Sequence, residues 1–176
     1  MAIIVLVMLL AVLVVTVLSC VSDVRLMRIP NVHSFIILAC FIPAWLAGPT
    51  VFSPLWYHIA AMGIMFVVTY TMFCMGMMGG GDSKLGTVLG LWVGLKGLLP
   101  FIFYMAIMGG ILGLMTIFLQ RKKPFINPRL GSWVALVQAG QNAVPYGIAI
   151  SFGSWASFFH TGLIHHQLNE VFKIIH

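Results

Sequence analysis

The chain has 176 residues, 61% of them hydrophobic and 7% charged, with a mean hydropathy of +1.10; this composition excludes an ordinary soluble domain and identifies a polytopic membrane protein. The net charge of +6 rests on only nine Lys and Arg, most of them in short loops between apolar stretches. It is read as orientation in the membrane and not as a nucleic-acid-binding surface. Cys20, Cys40 and Cys74 are widely spaced with no CxxC, which argues against structural zinc or a disulfide framework and for small buried thiols.

Residues 2–20 form the first apolar run. No basic residue precedes it while Arg25 and Arg28 follow it, the reverse of a secretory signal, so it is expected to be retained with its N-terminus outside. The loop from about Val21 to His33 is then cytoplasmic, with Pro30 suited to the first turn of the next helix. Segment two runs from about Val32 to Ala47. Gly48-Pro49-Thr50 breaks it, and Val51 to Leu55 makes an outer turn. Segment three, Trp56 to Cys74, opens with two aromatic residues suited to the membrane interface and returns the chain to the cytoplasmic face at Met75-Gly76-Met77-Met78-Gly79-Gly80-Gly81-Asp82-Ser83-Lys84.

Segment four, about Ser83 to Leu98, repeats small residues at Gly86, Gly90, Gly94 and Gly97, a spacing that permits close helix packing. Lys96 and Pro100 mark its outer end. Segment five covers about Phe101 to Leu119, and Gln120-Arg121-Lys122-Lys123-Pro124 is the strongest cytoplasmic signal. Trp133 to Val137 is too short to span and reads as an interfacial helix. Segment six begins near Val144-Pro145-Tyr146-Gly147 and ends near Phe159, leaving an outer tail with His160, His165, His166, Glu170 and Lys173.

The expected fold is all-α: one integral-membrane domain over residues 1–176, six transmembrane helices and both termini outside. Arg25, Arg28, Lys84, Arg121, Lys122, Lys123 and Arg129 fall inside against Lys96 and Lys173 outside, in keeping with the positive-inside rule. Asp23 and Asp82 then share the cytoplasmic face. They are the chain's only aspartates, and the third acid, Glu170, falls outside.

An acid next to hydrocarbon is costly and usually functional. Two carboxylates held close in a poorly hydrated site do not both ionise readily, so one keeps a proton. Such a pair can hydrolyse an amide, the ionised member taking a proton from water while the other polarises the carbonyl. The plainer alternatives are that Asp82 merely caps helix four and that Asp23 is a solvated charge beside Arg25 or Arg28. Gly79 to Gly81 allow close backbone approach. His33 and His58 are expected on opposite faces and the remaining histidines in the tail, so no metal site or cofactor is expected.

Asp23 with Arg25 and Ile29-Pro30-Asn31, the GxGD form Gly79-Gly80-Gly81-Asp82 followed by Lys84-Leu85, and Val144-Pro145-Tyr146-Gly147-Ile148-Ala149 together resemble the prepilin peptidases, intramembrane aspartyl proteases. The chain is similar in particular to the short branch serving Flp-type pili and tight-adherence secretion. The resemblance implies cleavage of a short basic leader after a glycine, at the cytoplasmic boundary of the bacterial inner membrane, from prepilin or pseudopilin substrates. It makes Asp23 and Asp82 the catalytic pair. Arg25, Pro30, Asn31, Gly79, Gly81, Lys84, Pro145, Tyr146 and Gly147 become the residues that shape the site or meet substrate, with lipids as the surrounding partner. Larger members that resemble this chain add a cytoplasmic insertion with paired CxxC motifs and methylate the new N-terminus; the first loop here has room for neither, so no methyltransferase activity is expected. From other classes, a proton-coupled transporter or a noncatalytic assembly subunit would use the same acids for relay or for capping.

Overall fold

A computed structural model describes residues 1–48, 51–165 and 167–169; the expectations placed on His166, Glu170, Lys173 and His176 lie outside them. The main elements are helices α1 (Ala2–Leu26), α2 (Asn31–Ala47), α3 (Leu55–Cys74), α4 (Gly80–Lys122), α5 (Trp133–Gln138) and α6 (Tyr146–His160). Three of them, α1, α3 and α4, are long and apolar enough to cross a membrane, and α2 is apolar but shorter.

In α1 apolar residues surround the axis, yet what is buried, with Val15 beside it, is one stripe: Val5, Leu9, Val12, Thr16, Ser19 and Asp23. Their alternating steps of four and three are the seam of a helix packed against neighbours. Ile4, Val7, Leu10 and Val14 face outward instead. The helix runs past residue 20, so Asp23 sits within its last turn and not in the following loop. Met27 ends it in a left-handed conformation (φ 50), its N–H donating to the Asp23 carbonyl, and the Ser22 hydroxyl closes the turn by donating to the Arg28 carbonyl at 2.7 Å.

Helix α4 is a hairpin. Gly94 leaves helical geometry at φ 61, ψ −178, a region that favours glycine. Gly86 and Gly109 both pack on the adjacent residues Ile150 and Ala149, where an added Cβ would lie 3.9 Å from each; a straight helix would hold the two glycines about 34 Å apart. The break expected near Lys96 and Pro100 is therefore at Gly94. Proline is held near the helical φ and continues the returning arm, whereas only glycine reaches φ 61 without strain. The turn is seated on His58, whose Cε1 would lie 2.9 Å from a Cβ at Gly94 and whose Nδ1 donates to the Leu91 carbonyl at 2.7 Å.

Contacts fix the direction of each arm. The first arm of α4 runs antiparallel to α3, with Gly86 beside Thr69 and Gly90 beside Ala61 and Met65, and parallel to α2, whose Ile37 carbonyl accepts from Trp92 Nε1 at 2.9 Å. The returning arm runs antiparallel to α6, through Ser157 Oγ donating to the Gly97 carbonyl at 2.8 Å and Tyr146 beside Gly109. Helix α6 also runs antiparallel to α1, Trp155 Nε1 donating to Thr16 Oγ1 at 2.9 Å. Such hydrogen bonds and small-residue contacts are what holds helices together where lipid removes the hydrophobic drive. They bring the end of α1 and the starts of α2, α4 and α6 to one end of the bundle, with the Gly94 reversal at the other.

Candidate active site

Asp23 ends the buried stripe of α1 and is 3% exposed. Its Oδ2 accepts the Gly147 N–H at 2.8 Å, across 124 positions of sequence. That approach requires glycine, since a Cβ at Gly147 would stand 2.9 Å from Asp23 Oδ2 and 2.9 Å from Ile29 Cδ1. The same residue accepts from the Cys20 thiol through its carbonyl at 3.5 Å, so Gly147 is held by two residues one turn apart on α1. Asp23 is thus not the solvated charge of the plainer alternative.

Asp82 lies in the first turn of α4 and is 7% exposed. Its Oδ2 accepts the Gly79 N–H at 3.0 Å, the reach-back that an acid at this position makes to a helix start. Capping therefore describes one oxygen only. The other, Oδ1, is buried without a hydrogen-bond partner among the described residues, and a buried acceptor left unpaired carries a cost that a ligand in the site would relieve.

Both carboxylates line one open cavity of about 460 Å³, walled also by Ser22, Pro30, Asn31, Gly79 and Gly81 among others. The loop between α1 and α2 presses on the start of α4: a Cβ at Gly81 would fall 2.9 Å from the Ile29 carbonyl oxygen. Of the other residues singled out in the sequence, Lys84 stands outside the cavity, donating to Asn31 Oδ1 at 3.0 Å. Pro145 is buried at the start of α6 and Tyr146 packs on Gly109. Arg25 is exposed and lines a separate cleft with His33 and Arg129, so it is not brought to the aspartates. Sequence reasoning assigned no role to Cys20, which holds the Gly147 carbonyl, or to Ile29, which packs beside Gly147. Cys20 was detectable in principle, three residues before Asp23 and so on the same helical face. Among the described residues no three His, Cys, Asp or Glu side chains converge as metal ligands would.

The family model for the Type IV leader peptidase family matches residues 4–114, a stretch that includes both aspartates and ends before Gly147. Over 98 residues the chain is 37% identical to the "Prepilin leader peptidase/N-methyltransferase" of Bacillus subtilis, covering 53% of this chain and 38% of that protein. Over 82 residues it is 30% identical to the protein of the same name from Xanthomonas campestris pv. campestris, covering 47% of this chain and 23% of the relative. The chain thus matches well under half the length of either relative. No solved structure gives a significant match. On the family match, which takes in more than half of its residues and both of its aspartates, the chain belongs to the type IV leader peptidase family.

Proposed function

We propose that the chain is a membrane aspartic endopeptidase that removes the short basic leader of prepilins, of the Flp type in particular, at the cytoplasmic face of a bacterial inner membrane. One observation carries this reading: the only two aspartates in the chain, 59 positions apart, are both buried and wall the same open cavity. The relatives that the chain matches carry the name "Prepilin leader peptidase/N-methyltransferase".

In the mechanism, one aspartate is ionised and the other protonated, as suits two acids in one poorly hydrated site. Water enters the cavity between them. The carboxylate takes one proton from it as its oxygen attacks the scissile carbonyl carbon, and the neutral acid hydrogen-bonds the carbonyl oxygen as negative charge develops there. The tetrahedral intermediate then collapses as the acid that took the water proton passes it to the leaving nitrogen and the C–N bond breaks, which returns the pair to one carboxylate and one neutral acid. Backbone N–H groups of Gly147 and Gly79 hold one oxygen of each acid, leaving the other oxygen of each without a backbone donor among the described residues. No ion or cofactor is required by this chemistry, and the four-residue link between Leu26 and Asn31 has no room for an inserted domain. We therefore assign peptidase activity without N-methyltransferase activity.

Six membrane crossings follow if α1, α2, α3, the two arms of α4 and α6 each traverse the bilayer. Arg25, Arg28, Lys84, Arg121 and Lys122 sit at the aspartate end, against Lys96 beside the Gly94 turn, which supports that end facing the cytoplasm. A transporter would need ionisable groups along a route across the bilayer, whereas both acids lie at one end.

The test is Asp23→Asn and Asp82→Asn, each expected to reduce cleavage of a candidate prepilin in proteoliposomes by at least about a thousandfold, as loss of an essential acid or base does, with the protein still monodisperse. Asn can still accept from Gly79 or Gly147 and remains a good helix-terminal residue. Near wild-type turnover by either variant would sink the dyad and leave Asp82 a cap.

A further inference from the structure

A second groove adjoins the dyad cavity. It holds about 340 Å³ and is walled by Asn31, Ser34, Phe35 and Leu38 of α2, by Phe66 of α3, and by Ser83, Lys84, Thr87 and Val88 of α4. The four α2 residues are spaced as one helical face. Asn31 walls both this groove and the aspartate cavity, so the two are neighbours across that one residue. From Asn31 to Leu38 the groove climbs about 10 Å toward the middle of the bundle, and its character changes along the way. At the aspartate end are Asn31 and Lys84, bonded to each other at 3.0 Å; farther in are Leu38, Phe66 and Val88. Phe35 and Phe66 are 68% and 49% exposed. Ser34 is 7% exposed, and its hydroxyl has no hydrogen-bond partner among the described residues.

Resting on the peptidase reading above, we propose that this groove seats the apolar helix that follows the scissile bond, lying parallel to α2 and to the first arm of α4. A peptide bond held between Asp23 and Asp82 leaves the cavity past Asn31. The chain beyond it must then enter hydrocarbon, and the polar-to-apolar order of the groove matches a polar leader passing into an apolar helix. Helices seat in grooves by placing one face at i, i+3, i+4 and i+7 against them, and the groove spans the two turns that such a face needs. A lipid acyl chain would use the apolar half but has no need of the polar end at Asn31 and Lys84 beside the aspartate cavity. The unpartnered Ser34 hydroxyl supplies one polar contact to a chain lying close, as interhelical serines do.

The experiment places a photo-crosslinking amino acid at successive positions of the apolar segment of a candidate prepilin and traps it on Asp82→Asn protein in nanodiscs. Cleavage of the same prepilin by the unmodified protein is measured first; no cleavage there overturns the peptidase reading itself. Given cleavage, crosslinks recurring every three to four positions to α2, α3 and the first arm of α4 are expected. Crosslinks to the outer face of α1, or none from the apolar segment while leader positions still crosslink near the aspartates, would overturn the groove. In a second measurement Leu38→Trp, at a position 37% exposed and so open to a larger side chain, is expected to raise KM for the prepilin at least tenfold with kcat within threefold. Unchanged KM, with displacement of a spin-labelled phospholipid from the groove, would assign it to lipid instead and overturn the proposal.

Discussion

Replacing Gly147 by alanine separates the role of one backbone N–H from the role of the acid it holds. The new methyl would stand 2.9 Å from Asp23 Oδ2, 2.9 Å from Ile29 Cδ1 and 3.2 Å from Asp23 Cβ, and ordinary contact begins near 3.4 Å, so the carboxylate or the start of α6 must retreat by about half an ångström. Either movement stretches the 2.8 Å hydrogen bond from Gly147 N–H. Overpacking of this kind costs about 1–3 kcal/mol, and a weakened hydrogen bond adds roughly 1 kcal/mol. A catalytic group displaced by an ångström loses about a hundredfold in rate, so half that displacement predicts a fall in kcat of roughly tenfold. The assay is initial-rate cleavage per folded enzyme, with thermal stability followed alongside. Gly113→Ala is the control, because a Cβ there meets nothing within 4 Å; it should stay within twofold of the parent and gain slightly in stability, as glycine-to-alanine changes in helices do. A Gly147→Ala enzyme with turnover within twofold of the parent would refute the claim that this contact positions Asp23.

Gly94→Ala should lower thermal stability by about 1–3 kcal/mol for the glycine-only backbone angles alone, and by more from the collision with His58, while kcat changes less than it does for Gly147→Ala; equal stability would mean that the hairpin turn tolerates a side chain. Cysteines introduced at Lys123 and at Lys96 should label from opposite faces of sealed vesicles, and labelling from the same face would remove the two-crossing reading of α4. Exhaustive chelation should leave cleavage intact, since the proposed acid and base are side chains; loss restored by one particular metal would require a different mechanism.

The composition and the apolar runs made the helical class and the approximate segments legible, because lipid-facing helices must be apolar over their whole length. The same uniformity hid which face of each helix turns inward. In α1 every hydrophobic residue looks equivalent, yet the buried stripe can be picked out by the polar residues that lie on it, Thr16, Ser19 and Asp23, since lipid exposure would leave them unsatisfied. Start positions were read closely where a Pro marked them, as at Pro30 before α2 and Pro145 before α6. The α4 turn was displaced because Pro100 and Lys96 are strong local signals, whereas the fit of Gly94 to His58 is a contact across 36 positions with no local signature. The grouping of Asp23 with Asp82 on one face was legible from charge placement. The N–H that holds Asp23 was not, because nothing before residue 147 announces which backbone donor will reach it.

The two aspartates are held in unequal ways, and this bears on how the site is assembled. Asp82 is fixed by Gly79, three residues before it, so its placement needs little more than the first turn of α4. Asp23 is fixed by Gly147, and Gly147 is in place only while α6 stays docked along α1 and the returning arm of α4. That docking is supplied at sites distant from the cavity: Ser157 on Gly97, Trp155 on Thr16, and Gly153, where a Cβ would come 2.8 Å from the Phe101 carbonyl. A loosened outer half of α6 would therefore displace Asp23 and leave Asp82 in place. The hairpin at Gly94 links the two supports, since one arm begins at Asp82 and the other carries α6. The reversal that brings α4 back beside α6 is what lets one long helix hold the first acid by its own backbone and the second through the helix it returns to meet.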